Sequence, residues 1–227
     1  LASSVRAETV TAAGCSTTFD SEFQGSAVTK HHSVARSALA VLALIAVPAT
    51  AWAHPGHSVT GDGLTAGLMH PLAGFDHLLA MIAVGIVSAQ LGGRALWALP
   101  AMFVGTVVIG SLIGLSGPQR PVIEIGIAAS VILLGAAVAW DRRGQLGLPL
   151  ALAGVFGFMH GYAHGTEMPT VDSTILYVAG FVAATAALHA AGVLIGLIGK
   201  QSVTGTSGLR LSGGVIAASG LWLMLAA

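Results

Sequence analysis

Two short segments hold most of the side chains that could do chemistry: His70-Pro71-Leu72-Ala73-Gly74-Phe75-Asp76-His77 and His160-Gly161-Tyr162-Ala163-His164-Gly165-Thr166-Glu167. Both lie in apolar surroundings, where an imidazole or a carboxylate is costly unless it has a partner. Imidazole nitrogen with carboxylate oxygen suits a borderline divalent cation such as nickel, cobalt or zinc better than potassium. A continuous helix would set His70 and His77 on nearly the same face, with Asp76 about 100° around and able to meet a different helix. Pro71 then either begins the deeply buried part or kinks a longer helix. His160 and His164 stack on one helix face, and Glu167 extends that surface by a turn unless Gly165 ends the helix. A carboxylate can accept one imidazole N–H and turn the other nitrogen toward a cation, or it can bind the cation itself.

The remaining candidates are more ambiguous. Glu124 reads equally as a capture or supporting group and as an ordinary helix-start charge. His189, with Thr185 one turn earlier, fits ligation and a buried hydrogen bond equally well. Asp172 reads as a helix-start residue. His54 and His57 form a His-Pro-Gly-His segment; cleavage before His54 would place an amine beside an imidazole. Pro55 removes an amide that a square-planar site would need. Met69, Met81 and Met159 read as packing, and Trp97, Trp140 and Trp222 as interfacial residues. Cys15 is the only cysteine, which excludes an intrachain disulfide and a thiolate cluster.

The elements that position these groups follow from composition. Nine histidines equal the nine lysines and arginines combined; the chain is 55% hydrophobic and 8% charged, with zero formal net charge. Mean hydropathy is +0.85. Such a chain is no ordinary soluble domain, and nothing in it forms a basic surface for nucleic acid. The 31 glycines suit close helix packing within a lipid bilayer. The expected fold is all-α, a polytopic membrane helical bundle of six transmembrane helices after a cleavable signal peptide. Residues 1–53 read as an N-terminal extension and signal peptide, the apolar run Ala38 to Ala49 preceding Ala51-Trp52-Ala53. Residues 54–227 read as the membrane domain. Its spans are Leu64–Ala89, Ala95–Leu115, Val122–Trp140, Leu146–His164, Val171–Gly199 and Leu209–Ala226, most near the roughly 20 residues that cross the hydrocarbon core. Breaks are expected at Gly92-Gly93, Gly117-Pro118, Arg142-Arg143-Gly144, Met168-Pro169 and Gly205. With the mature N-terminus outside, Arg94, Arg142, Arg143, Lys200 and Arg210 fall on cytoplasmic turns and only Arg120 outside; the C-terminus is then external.

These residues resemble the HupE/UreJ family of hydrogenase- and urease-associated nickel permeases. The likeness runs through His70-Pro71, Gly74, Asp76-His77 and Met81, then Gln90-Leu91-Gly92-Gly93-Arg94-Ala95-Leu96-Trp97 and Pro100. It continues in Pro121, Glu124, Gly126-Ile127-Ala128 and Ser130, and is strongest over His160–Glu167. Tyr177, Gly180-Phe181, Ala184-Thr185 and Leu188-His189 extend it, so that it covers most of residues 54–199. The resemblance implies a multi-pass protein of the bacterial inner membrane with Ni²⁺ as substrate, Co²⁺ or Zn²⁺ as other candidates, and no catalytic cofactor. It also implies hydrogenase or urease maturation proteins as partners. His70, Asp76, His77, His160, His164 and Glu167 carry over as substrate-path residues. The expectation is secondary or facilitated uptake into the cytoplasm. An intramembrane zinc-dependent hydrolase, assisted by Ser88 or Ser130, and a membrane metallochaperone are the alternatives.

Overall fold

In a computed structural model of the chain, the residues described are 62–141 and 144–226. The N-terminal extension, the cleavage site and both His54 and His57 lie outside them, as do Arg142 and Arg143.

Seven helices follow one another: α1 (Gly63–Ala73), α2 (Phe75–Leu91), α3 (Ala95–Gly114), α4 (Pro121–Trp140), α5 (Gly147–Thr166), α6 (Thr174–Gly199) and α7 (Val203–Ala226). The chain is an all-α polytopic membrane bundle. α3, α4, α6 and α7 are each long and apolar enough to cross a bilayer. α1 and α2 qualify only as a pair, bent by 81° at their junction, which gives a broken fifth span or a re-entrant turn. α5 matches α3 and α4 in length, but its His, Tyr and Gly residues make it less apolar.

The bend corrects one expectation. Pro71 lies inside the last turn of α1, and the break comes at Gly74, whose backbone is extended. A Cβ at Gly74 would sit 2.8 Å from His77 Nδ1 and 3.1 Å from Asp76 Oδ1, so glycine is what leaves room for that pair. Because the helix breaks between them, His70 and His77 do not share a helix face.

Other boundaries follow local chemistry. Gly92 and Gly93 take positive φ values of 72° and 54° in the α2–α3 turn, conformations that suit glycine. Pro121 opens α4, where its missing N–H costs nothing. Ser173, rather than Asp172, caps α6 by accepting from the Leu176 N–H at 3.4 Å. α5 runs through Gly165 to Thr166, so Glu167 stands at its C-terminal cap. α7 begins at Val203, ahead of the expected break at Gly205.

α2 is the central helix, with every residue from Leu79 to Gln90 buried. The outward faces of the others carry exposed Ile109, Leu112, Leu133, Leu194 and Leu211, an arrangement suited to lipid. Packing is tightest between α3 and α5, α4 and α7, and α6 with α1 and α2. Small residues make each approach possible. In α5, Gly157, Gly161 and Gly165 lie against the backbone of Phe103, Val107 and Ser111. Gly135 and Gly213 join α4 to α7, while Gly85 and Gly192 join α2 to α6.

Polar groups finish one end of the bundle. Lys200 Nζ donates to the Ala89 carbonyl at 2.7 Å and Arg210 Nε to the Ala139 carbonyl at 3.1 Å, satisfying exposed helix C-termini. Arg94 follows α2 at this same end. Arg120, Glu124 and Glu167 lie at the other.

Candidate metal site

Four imidazoles from three helices converge near the acidic end. His77, in the first turn of α2, packs on His164 of α5 with ring centroids 4.0 Å apart and on His160 at 4.6 Å. His70, from the last turn of α1, reaches His164 at 4.6 Å. The sharp bend at Gly74 brings His70 and His77 to the same neighbour from two helices. His160 and His164 reach the cluster from one face of α5, as their spacing requires. His77, His160 and His164 are buried; His70 is partly so.

Hydrogen bonds orient the rings. His77 Nδ1 lies 2.8 Å from Asp76 Oδ1, which also accepts the His77 backbone N–H at 2.8 Å. A carboxylate only accepts, so Nδ1 carries the proton and Nε2 presents a lone pair. Asp76 therefore serves its neighbour in sequence rather than a different helix. His160 Nε2 lies 2.9 Å from Ser130 Oγ, whose own hydroxyl donates to the Ile127 carbonyl at 2.6 Å. With that proton used, Oγ must accept from Nε2–H, and His160 Nδ1 holds the lone pair. Both lone-pair nitrogens, and both nitrogens of His164, are buried without a hydrogen-bond partner. Buried polar atoms normally have partners, so this concentration singles the cluster out.

Aromatic rings wall the cluster. Phe181 lies 4.5 Å from the His164 ring, Tyr177 5.8 Å from His70, and Phe103 5.5 Å from His160. Among the described residues, no three His, Cys, Asp or Glu are placed to hold one ion as they stand. The rings rest against one another, so common coordination requires them to rotate apart.

The other expected residues divide in two. Glu124 and Glu167 are exposed at the same end, near enough for their charges to act on each other and on His77. Glu167, just beyond α5, has its carboxyl pushed above the usual range, first by the protein around it and then by Glu124. His189 stands apart from the cluster, its ring 5.2 Å from that of Phe103. Sequence reasoning gave Phe103 no role and treated Ser130 as a hydrolase side group. The spacing of Ser130 to His160 carries no periodic signal; only folding joins α4 to α5.

Comparison with known proteins agrees with this picture. The family model described as HupE / UreJ protein matches residues 42–223. Protein HupE of Rhizobium leguminosarum bv. viciae is 38% identical over 184 residues, covering 81% of this chain and 95% of that protein. No solved structure matches the chain.

Proposed function

This chain belongs to the HupE/UreJ family, and from that premise we propose that it is a permease carrying Ni²⁺, with Co²⁺ as a second substrate, into the cytoplasm. The observation that carries the reading is the convergence of four imidazoles, three of them holding buried unpartnered nitrogens, behind two carboxylates. Glu124 and Glu167 concentrate the cation at the mouth. His70, Asp76, His77, His160 and His164 then replace part of its hydration shell as the rings turn apart. A cluster that closes on itself when empty binds reversibly, as a conduction path requires. With the acidic end external, a divalent ion crossing about 100 mV gains roughly 4.6 kcal/mol, so the membrane potential supplies a driving force.

Six crossings fit this scheme if α1–α2 counts as one broken span and α5 as another. His54 and His57 would extend capture beyond the bundle. Supply of a metalloenzyme maturation system follows from the family's association with hydrogenase and urease accessory proteins.

The protein is a permease rather than an enzyme. The Ser130 hydroxyl donates to a backbone carbonyl and accepts from His160, so His160 is not placed to remove its proton.

The test is uptake of radiolabelled Ni²⁺, Co²⁺ and Zn²⁺ into sealed liposomes containing this protein alone, with and without an imposed voltage. Saturable Ni²⁺ uptake that rises with inside-negative potential is expected. Replacing His77 or His164 by Ala should lower it about 10–100-fold while the variants remain folded. Binding without uptake would instead favour a metal-holding partner over a permease.

A further inference from the structure

We propose that His189, with the Thr185 hydroxyl one turn before it, is a second station for the divalent cation, separate from the cluster of His70, His77, His160 and His164. The inference rests on the permease reading above and adds an inner half to its path.

His189 is 1% exposed, and its Nδ1 lies 2.7 Å from the Thr185 carbonyl. A carbonyl only accepts, so Nδ1 carries the proton and Nε2 the lone pair. That nitrogen is buried without a partner, and so is the Thr185 hydroxyl, in a residue with no exposure at all. Each unpaired buried group costs about 1–3 kcal/mol. The hydrogen bond at Nδ1 explains how the ring is held, but not why a second nitrogen lies bare in an apolar interior.

Position supplies the reason. The Phe103 ring is 5.5 Å from His160 and 5.2 Å from His189, so it stands between the deepest cluster imidazole and this one. Beyond it lies a groove of about 560 Å³ between α3 and α6, lined by His189 with Trp97, Pro100, Val104, Val193 and Leu197. The groove runs toward the end that carries Arg94 and Lys200. An ion leaving the cluster past Phe103 therefore meets His189 before the far side. One imidazole and one hydroxyl leave most of the coordination shell to water, so this station holds the ion more weakly than the cluster does. Weak successive sites are what let a bound ion leave.

The test uses the full chain, purified and in liposomes, with Ni²⁺ alone as probe. His189→Asn keeps an amide N–H near the position of Nδ1 and its bond to Thr185, but offers nothing at Nε2. His189→Gln returns an acceptor oxygen near Nε2. Asn should bind the first Ni²⁺ with near wild-type affinity, while maximal uptake falls about tenfold or more at little-changed KM. Gln should recover part of that loss. Thr185→Val, which keeps the backbone carbonyl, should lower maximal uptake by a smaller factor and serves if His189 variants misfold. Wild-type maximal uptake in the folded variants overturns the proposal, as does an Asn variant that loses first-ion affinity. If the wild-type protein itself neither binds nor transports Ni²⁺, the permease reading fails first.

Discussion

Asp76 and Ser130 act alike on the imidazoles beside them: each fixes one ring nitrogen as the donor and leaves the other with its lone pair. Ser130→Ala should leave His160 Nε2 buried without a partner and weaken Ni²⁺ binding about tenfold, whereas Ser130→Thr, which keeps the hydroxyl, should restore it. Binding isotherms combined with ¹⁵N imidazole shifts test this; wild-type affinity and an unchanged His160 tautomer in the alanine variant would remove the argument. At the mouth, Glu167 holds its proton to a higher pH than an ordinary glutamate. Acidification therefore neutralises it early, and capture weakens as pH falls through that raised value. Glu167→Gln should raise KM several-fold, about the effect of removing one nearby charge, with maximal uptake largely kept. It should also flatten the rise in KM on the acid side. The histidines, Asp76 and both glutamates were recognisable in the sequence as residue types out of place in an apolar chain. Their bonding was not, because a tautomer depends on what the other nitrogen touches.

At the scale of elements, the α3–α5 pair sets how deeply His160 and His164 are held. Gly161 sits between these histidines, and a Cβ there would run into the Val107 carbonyl of α3. Gly161→Leu should destabilise the fold by at least about 1–3 kcal/mol, since backbone must move rather than a flexible side chain. Thermal unfolding in detergent measures it; a variant as stable as wild type would show that the two helices are not packed this closely. The ends of α3 and α4 fall within a residue of the positions read from apolar run length. The break within the first span was misplaced because proline is the stronger local signal. Gly74 breaks the helix instead, where the Asp76–His77 pair needs the space a side chain would fill, and no local propensity encodes that need.

For the whole molecule, charge divides the two ends. Arg94, Lys200 and Arg210 lie together, and Lys200 and Arg210 bind carbonyls at the ends of α2 and α4. Placing that end in the cytoplasm follows the preference for cytoplasmic Lys and Arg and turns Glu124 and Glu167 outward. A membrane-impermeant thiol reagent should then label Gln119→Cys in intact spheroplasts, and Gln201→Cys only after permeabilisation. The reverse pattern would invert the transport direction argued here.

Composition and spacing determined by themselves that the chain is an apolar helical bundle, that its ionisable groups gather in two segments, and to which family they belong. Helix-forming apolar runs and costly buried charges are properties of the chain read along its length. Tertiary structure alone decided that His70 and His77 meet His164 from two different helices, that Ser130 orients His160, and that Phe103 divides His189 from the rest. Those relations arise where glycine lets separate backbones approach, and the distance between such residues in space bears no fixed relation to their separation along the chain.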